Sequence, residues 1–251
     1  MGDAEFDALI AEAEAADVTG WDFSWLDGRA TEERPPWGYQ QLLGERLAQV
    51  GAALELQTGG GEFLLGVSGR PRVMVATEGW PPNLARATQL LHPHGVAVVA
   101  HPAEPPLPFA DDAFDLVTAR HPSDTWWSEI ARVLRPGGSY LAQHIGSRSN
   151  AELFEFFLGP VPEEPGDAEA PLVRARAAGL ELVDVREART RVEFFDVGAV
   201  VYFLRKVIWL VPGFTVDRYR DRLADLHEHI RTEGPFVAHS TRFLIEARAP
   251  E

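Results

Sequence analysis

The sequence predicts an α/β protein built on a doubly wound, mostly parallel sheet. Three observations carry this expectation. Short apolar runs alternate with helix-like stretches between about residues 50 and 147, the pattern that parallel strands joined by crossover helices produce. The first run ends in Leu54-Glu55-Leu56-Gln57-Thr58-Gly59-Gly60-Gly61, an apolar strand, an acid and then backbone free of side chains. Glycine is wanted where backbone must approach a ligand or take a positive φ. The third observation is size: 251 residues with 45% hydrophobic content are enough for one full core.

Taken in order, residues 3–16 place Phe6, Leu9, Ile10 and Ala13 at helical spacing, so an amphipathic helix opens the chain. Trp21, Phe23, Trp25, Trp37 and Tyr39 then crowd together around Pro35-Pro36. The strand ending at Leu56 and its glycine loop follow. A second run, Val73 to Ala76, ends at Glu78, and Pro81-Pro82-Asn83 opens a helix through Leu91. A third run, Val96 to Ala100, leads into a proline-rich loop ending Leu107-Pro108-Phe109. Phe114 to Val117 is the fourth strand, Glu129 to Leu134 a helix, and Ser139 to Ile145 the fifth strand.

Beyond it, Ser149 and Glu152 have the spacing of a capping box before the apolar stretch 153–158. Residues 160–171 are proline- and acid-rich and read as a solvated loop. A helix from Leu172 stops at Gly179, and Leu180 to Val185 is a sixth strand that Arg191 to Phe195 extends. The apolar stretch Asp196 to Leu210 reads as a buried helix, since it holds Arg205 and Lys206 and is too short to span a bilayer. Thr215 caps a helix to about Thr232, and Phe236 to Ala247 is a final strand.

Three blocks, in order, resemble the class I S-adenosylmethionine-dependent methyltransferases, most closely the small-molecule, methyltransferase type 11-like branch. They are Leu54 to Gly61, Leu107 to Val117, and Glu129-Ile130-Ala131-Arg132-Val133-Leu134-Arg135-Pro136-Gly137-Gly138. The resemblance covers about residues 40–147. It implies a Rossmann-like seven-stranded sheet with an antiparallel last strand and helices on both faces. It also implies one domain: a lid segment over 1–45, a cofactor-binding core over 46–147, a half with helical insertions over 148–235, and the last strand over 236–247.

The same resemblance implies the cofactor S-adenosyl-L-methionine, with S-adenosyl-L-homocysteine as product. Gln57, Thr58, Gly59, Gly60 and Gly61 would form the cofactor loop, with Glu55 accepting from the methionyl ammonium or, alternatively, from backbone donors in the loop. Glu78 would accept both ribose hydroxyls, with Gly79 and Trp80 beside the adenosine. Ala103 or Glu104 would serve the adenine, and Arg120 is a further cofactor-contact candidate that could instead orient an anionic acceptor or hold the loop. The chain departs from the family at Gln57, where a glycine is usual, and at His101-Pro102-Ala103-Glu104, which lacks the usual aspartate. The loop carries no lysine or arginine, consistent with a ligand without phosphate.

Trp21, Trp25 and Tyr39 are the candidate substrate contacts, the bland alternative being that they pack the N-terminal segment. His121 and His144 follow strand ends and titrate near neutrality, so either is a candidate general base, with His121 also on the substrate side. Each is equally readable as a cap or core histidine, and an already ionised acceptor needs no base. His239 is a weaker candidate.

The balance of 23 Lys+Arg against 38 Asp+Glu gives −15, which repels polyanions and argues against nucleic acid. The absence of cysteine excludes disulfides and thiolate metal sites. The start lacks a signal-peptide pattern, so a cytoplasmic protein, off the membrane, without metal, and monomeric or homodimeric, is expected. The activity expected is methyl transfer to a small apolar or aromatic acceptor. The alternatives are a degenerate cofactor-binding protein and, third, a nucleic-acid methyltransferase.

Overall fold

A computed structural model describes residues 2–102, 104–162 and 169–251, the first two of these by backbone alone. In chain order the elements begin with α1 (Gly2–Ala15), β1 (Ala30–Glu32), α2 (Tyr39–Leu47) and β2 (Ala52–Leu56). There follow α3 (Glu62–Leu65), β3 (Val73–Glu78), α4 (Pro81–Leu91), β4 (Val96–Ala100) and β5 (Phe114–Arg120). Next come α5 (Trp127–Val133), β6 (Leu134–Ile145), α6 (Ala151–Leu158) and α7 (Glu169–Ala177). The chain closes with β7 (Glu181–Phe194), α8 (Val197–Lys206), α9 (Val216–Glu233) and β8 (Phe236–Arg248).

The strands form one sheet in the order β1-β7-β8-β6-β5-β2-β3-β4. Strands β4, β3, β2, β5 and β6 pair in parallel, and β8 runs antiparallel to β6. The mixed α/β fold with an antiparallel last strand is therefore as expected, with eight strands rather than seven. The extra one is β1, three residues paired antiparallel to the end of β7. The sixth strand and its extension are one continuous β7.

The chain divides into two compact units. One comprises Met1–Arg34, Arg148–Glu164 and Arg189–Thr241, the other Pro35–Ser147, Pro165–Ala188 and Arg242–Glu251. In the first unit α1, α6, α8 and α9 pack an apolar core around Val200, Val201, Leu204 and Leu223. Helix α8 starts where Asp196 accepts from the Ala199 N–H at 2.8 Å, and α9 where Thr215 accepts from Arg218.

The capping box does not form. Asn150, in the left-handed region at φ 60°, is the residue before α6, and no side chain caps the helix. Ser149 turns instead to Ser240 and Thr241, while Glu152 accepts from the His239 backbone N–H and lies 2.8 Å from its Nδ1. Helix α7 begins at Glu169, ahead of the expected Leu172; residues 163–168 of the acidic loop lie outside the described residues.

The second unit holds the parallel strands. Side chains alternate between sheet faces, and the two faces bury different sets. Leu54, Leu56, Val75, Val117, Ala119, Tyr140 and Ala142 pack with α5 and α7. Ala53, Met74, Ala76, Leu116 and Leu141 pack with α2 and α4. Continued two residues on, the second set reaches Glu55, Glu78, Thr118, Arg120 and Gln143. Polar side chains at the carboxyl ends of four strands are thereby aimed at the α2/α4 side.

Two blocks singled out in the sequence lock this unit together. Asp115 accepts from the Gly51 and Ala52 amides at 2.9 and 2.8 Å and pairs with Arg135 at 2.6 Å. Arg132 forks onto Glu129 at 2.7 and 2.9 Å and donates to the carbonyls of Phe109 and Leu107 and to Asp111. These residues fix the entry to β2 and the loop before β5. No helix among the described residues is long and apolar enough to cross a membrane.

Candidate cofactor and acceptor site

The site is built at the carboxyl ends of β2, β3, β5 and β6, within the second unit. After β2 the backbone turns sharply: Gln57, Gly59 and Gly61 have φ of 55°, 64° and 87°. A Cβ at Gly61 would meet the Leu91 side chain at 2.9 Å, in addition to the strain of that φ. A Cβ at Gly60 would fall 2.5 Å from the Glu62 carboxylate. Gly61 is therefore held to glycine by both its φ and its packing, while the contact at Gly60 is with the movable end of Glu62. Helix α3 after it is only four residues long, so the loop, rather than a helix end, is the structured feature.

Gln57 accounts for the missing first glycine. Its Oε1 accepts from the Ser123 amide and hydroxyl at 2.8 and 2.9 Å, and its Nε2 donates to the Asp124 carbonyl at 2.8 Å. The side chain ties the loop after β2 to the loop after β5. Thr58 donates its hydroxyl to Glu55 at 2.6 Å.

Glu55 is 2% exposed. Burial pushes its carboxyl up to about 7, against the downward pull of the Thr58 hydroxyl and the charges of Arg120 and Arg70. Glu78, 8% exposed, holds three backbone donors: Gly59 N–H on one oxygen, and Gly79 and Trp80 N–H on the other, at 2.8–2.9 Å. A carboxylate has about four lone-pair directions. One therefore remains, so Glu78 in this conformation can take one hydroxyl rather than the expected two. Trp80 is about half exposed beside it, its indole face open for stacking. Ala103 lies outside the described residues, and Glu104 is an exposed position in the same loop.

The acceptor-side residues divide differently from expectation. Tyr39 is buried, its hydroxyl bonded to Thr118 Oγ1 at 2.7 Å and to the carbonyls of Ala119 and Leu141, with its ring stacked on Phe63. It is a tether between α2 and the strand ends, with no group left for a substrate. Arg120 lies with its guanidinium over the Phe63 ring. Trp21 and Trp25 belong to the first unit: Trp25 stacks on Tyr202 at 4.7 Å, and Trp21 packs on Phe23 and Trp209. Tyr39 belongs to the second unit.

The two histidines differ in their surroundings. His144 is buried on the opposite face, stacked on Phe243 at 4.8 Å with Nε2 3.2 Å from the Tyr140 hydroxyl, and burial lowers its pKa to about 4. That is a core position, away from Glu55 and Glu78. His121 does sit at the site, at φ 56° just after Arg120. Its backbone N–H donates to the Gln143 carbonyl at 2.7 Å, and its Nε2 lies 2.9 Å from Gln143 Nε2. The sequence reading passed over Gln143 and its second partner, Trp37, which donates to Gln143 Oε1 at 2.7 Å. A glutamine at the end of an otherwise apolar strand was the available signal.

A parallel sheet closed by an antiparallel strand, with a glycine loop and two acids at its carboxyl ends, defines the class I methyltransferase fold. Residues 54–142, about a third of the chain, match the family model described as a methyltransferase domain. Among curated proteins none matches the sequence. Solved structures share the fold. A candidate methyltransferase of Bacillus halodurans is 19% identical, with a TM-score of 0.60 over 84% of this chain and 98% of that one. The YcgJ protein of Bacillus subtilis gives 19%, 0.61, 84% and 97%. The [4+2]-cyclase SpnF gives 20%, 0.51, 83% and 81%.

Proposed function

We propose that this chain is an S-adenosylmethionine-dependent methyltransferase acting on a small organic acceptor with an apolar or aromatic body. The observation that carries the reading is the pair of buried acids, Glu55 and Glu78, on either side of the glycine loop. S-adenosylmethionine, when bound, supplies an activated methyl group on a sulfonium. The residues fit such a ligand: Glu55 is a buried carboxyl that burial holds near neutrality despite the charges of Arg120 and Arg70, and a methionyl ammonium beside it would favour the ionised form. Glu78 keeps an acceptor direction for a ribose hydroxyl, and Trp80 offers a ring face for the adenine. Partly buried Trp37 and Phe63 border the same face. The net charge supports a small acceptor over nucleic acid, and a cytoplasmic monomer or homodimer remains our reading of its state.

The test is release of S-adenosylhomocysteine with a panel of phenols, amines and carboxylates, together with calorimetry of S-adenosylhomocysteine binding. Micromolar binding and turnover with one acceptor class are expected; no heat at millimolar ligand sinks the reading. Binding without turnover on any acceptor would favour the second reading, a cofactor-binding protein. That reading draws on the fact that both histidines are held by neighbours.

Glu55 gives the binding a pH signature. Its folded pKa is raised, so the free protein gains from a neutral Glu55 at low pH and loses that contribution as pH rises through about 7. A bound cation favours the ionised form. Affinity should therefore be full above pH 7 and fall by up to about tenfold per pH unit below it. The homocysteine ammonium stays protonated throughout this range. Calorimetry between pH 5.5 and 8.5 should show this slope in the wild type and none in Glu55→Gln; a flat wild-type profile would place the ammonium elsewhere.

A further inference from the structure

Trp37, Gln143 and His121 form a directed chain of hydrogen bonds. An indole N–H only donates, so the Gln143 oxygen must face Trp37, at 2.7 Å. The amide nitrogen then faces His121, and because it too only donates, His121 Nε2 must accept, at 2.9 Å. A neutral imidazole has one N–H, which this chain places on Nδ1. Gln143 is 5% exposed, and the His121 backbone N–H is held by the Gln143 carbonyl, so neither partner is at liberty to turn. Among the described residues no group bonds His121 Nδ1.

The charged and titratable groups around the ring agree. Burial first, then Arg120 on β5, Arg242 on β8 and His144 on β6, hold its pKa down to about 2. The ring stays neutral through the physiological range and is a poor proton acceptor.

We propose that His121 meets the acceptor as a neutral Nδ1–H donor, held in that tautomer by Trp37 acting through Gln143, and that the acceptor presents an anionic oxygen, a phenolate or carboxylate. Trp37 and Gln143 are positioning residues; His121 touches the acceptor. This deepens the methyl-transfer reading and rests on it for its kinetic part alone. An acceptor anion and a sulfonium give a neutral ether or ester and a neutral thioether. The proton count therefore closes without His121 taking a proton.

The experiment begins with nitrogen-15 chemical shifts of the histidines in the full chain at pH 7, the His121 signals assigned by their loss in His121→Asn. A protonated Nδ1 with a bare Nε2 is expected; a protonated Nε2, or an imidazolium, overturns the proposal. Trp37→Phe removes the donor that orients the amide and should give a mixture of tautomers, whereas an unchanged Nδ1–H signal would remove Trp37 from the device. These measurements need no turnover, so they stand even if methyl transfer fails.

The kinetic part uses the same panel, with 4-nitrophenolate and benzoate as probes. His121→Asn suits the left-handed backbone at this position and keeps a donor close to where Nδ1–H lies. Turnover within about tenfold of wild type is expected. A loss of about two to four orders of magnitude, with cofactor binding intact, would mean that His121 is a base after all. Trp37→Phe should raise the acceptor KM about tenfold while leaving kcat nearly unchanged, since it weakens binding rather than chemistry; an equal fall in kcat would contradict a positioning role.

Discussion

Glu78→Ala should lower the affinity for S-adenosylhomocysteine by about a hundred- to a thousandfold. Two losses add. The ribose acceptor disappears, a charge-assisted bond worth about 1.5–3 kcal/mol. The amides of Gly59, Gly79 and Trp80 also lose their common acceptor, and the glycine loop must spend binding energy on being ordered again. Together about 3–4 kcal/mol corresponds to that change in affinity. Glu78→Gln separates the parts. Its oxygen can keep the pair of donors from Gly79 and Trp80, but its NH2 then opposes the Gly59 N–H and replaces the one free acceptor direction by a donor, which a ribose hydroxyl oxygen can still accept from. A loss of about tenfold is expected. Glu78→Ala binding within threefold of wild type, with the fold intact by circular dichroism, would show that this carboxylate serves the loop alone.

Arg132→Ala should destabilise the protein by about 2–4 kcal/mol without touching any group proposed to meet a ligand. The guanidinium makes five bonds, and its removal leaves the mostly buried Glu129 carboxylate facing the Leu107 amide alone. Breaking a buried pair by deleting one member costs about 3–5 kcal/mol; the figure is reduced here because Arg132 is itself partly exposed. Arg132→Lys should recover little, because a point charge cannot serve a carboxylate and two carbonyls in one plane. Urea midpoints at constant m-value measure both variants. A change under about 1 kcal/mol for Arg132→Ala would mean that the loop before β5 is held by its apolar contacts.

These two residues illustrate what the sequence made legible. Arg132 lay in a motif recognised as specific, and the structure shows the physical reason for the specificity: it and Asp115 are the ties between segments that any such sheet must bring together. The cap at Thr215, the buried helix after Asp196 and the long last strand were equally readable, because each depends on neighbours a few residues away. What was not readable depended on distant partners. Ser149 and Glu152 had the spacing of a cap but found Ser240, Thr241 and His239 instead. Tyr39 looked like a ligand contact until Thr118, Ala119 and Leu141 were seen to occupy its hydroxyl. The Trp37–Gln143 bond joins residues 106 apart, and no local pattern announces it. Strand β1, with three residues of mixed character, has no period to detect.

The glutamine in the place of a loop glycine has one more consequence. Gln57 ties the loop after β2 to the loop carrying His121 with three bonds to Ser123 and Asp124, so on the proposed reading the cofactor side and the acceptor side share one mechanical link. Occupancy at one end is then felt at the other, and thermodynamic linkage makes the effect mutual: whatever S-adenosylhomocysteine does to the hold on an acceptor, the acceptor does equally to the hold on S-adenosylhomocysteine. Restoring glycine at position 57 would relieve the positive φ there and at the same stroke uncouple the two partners.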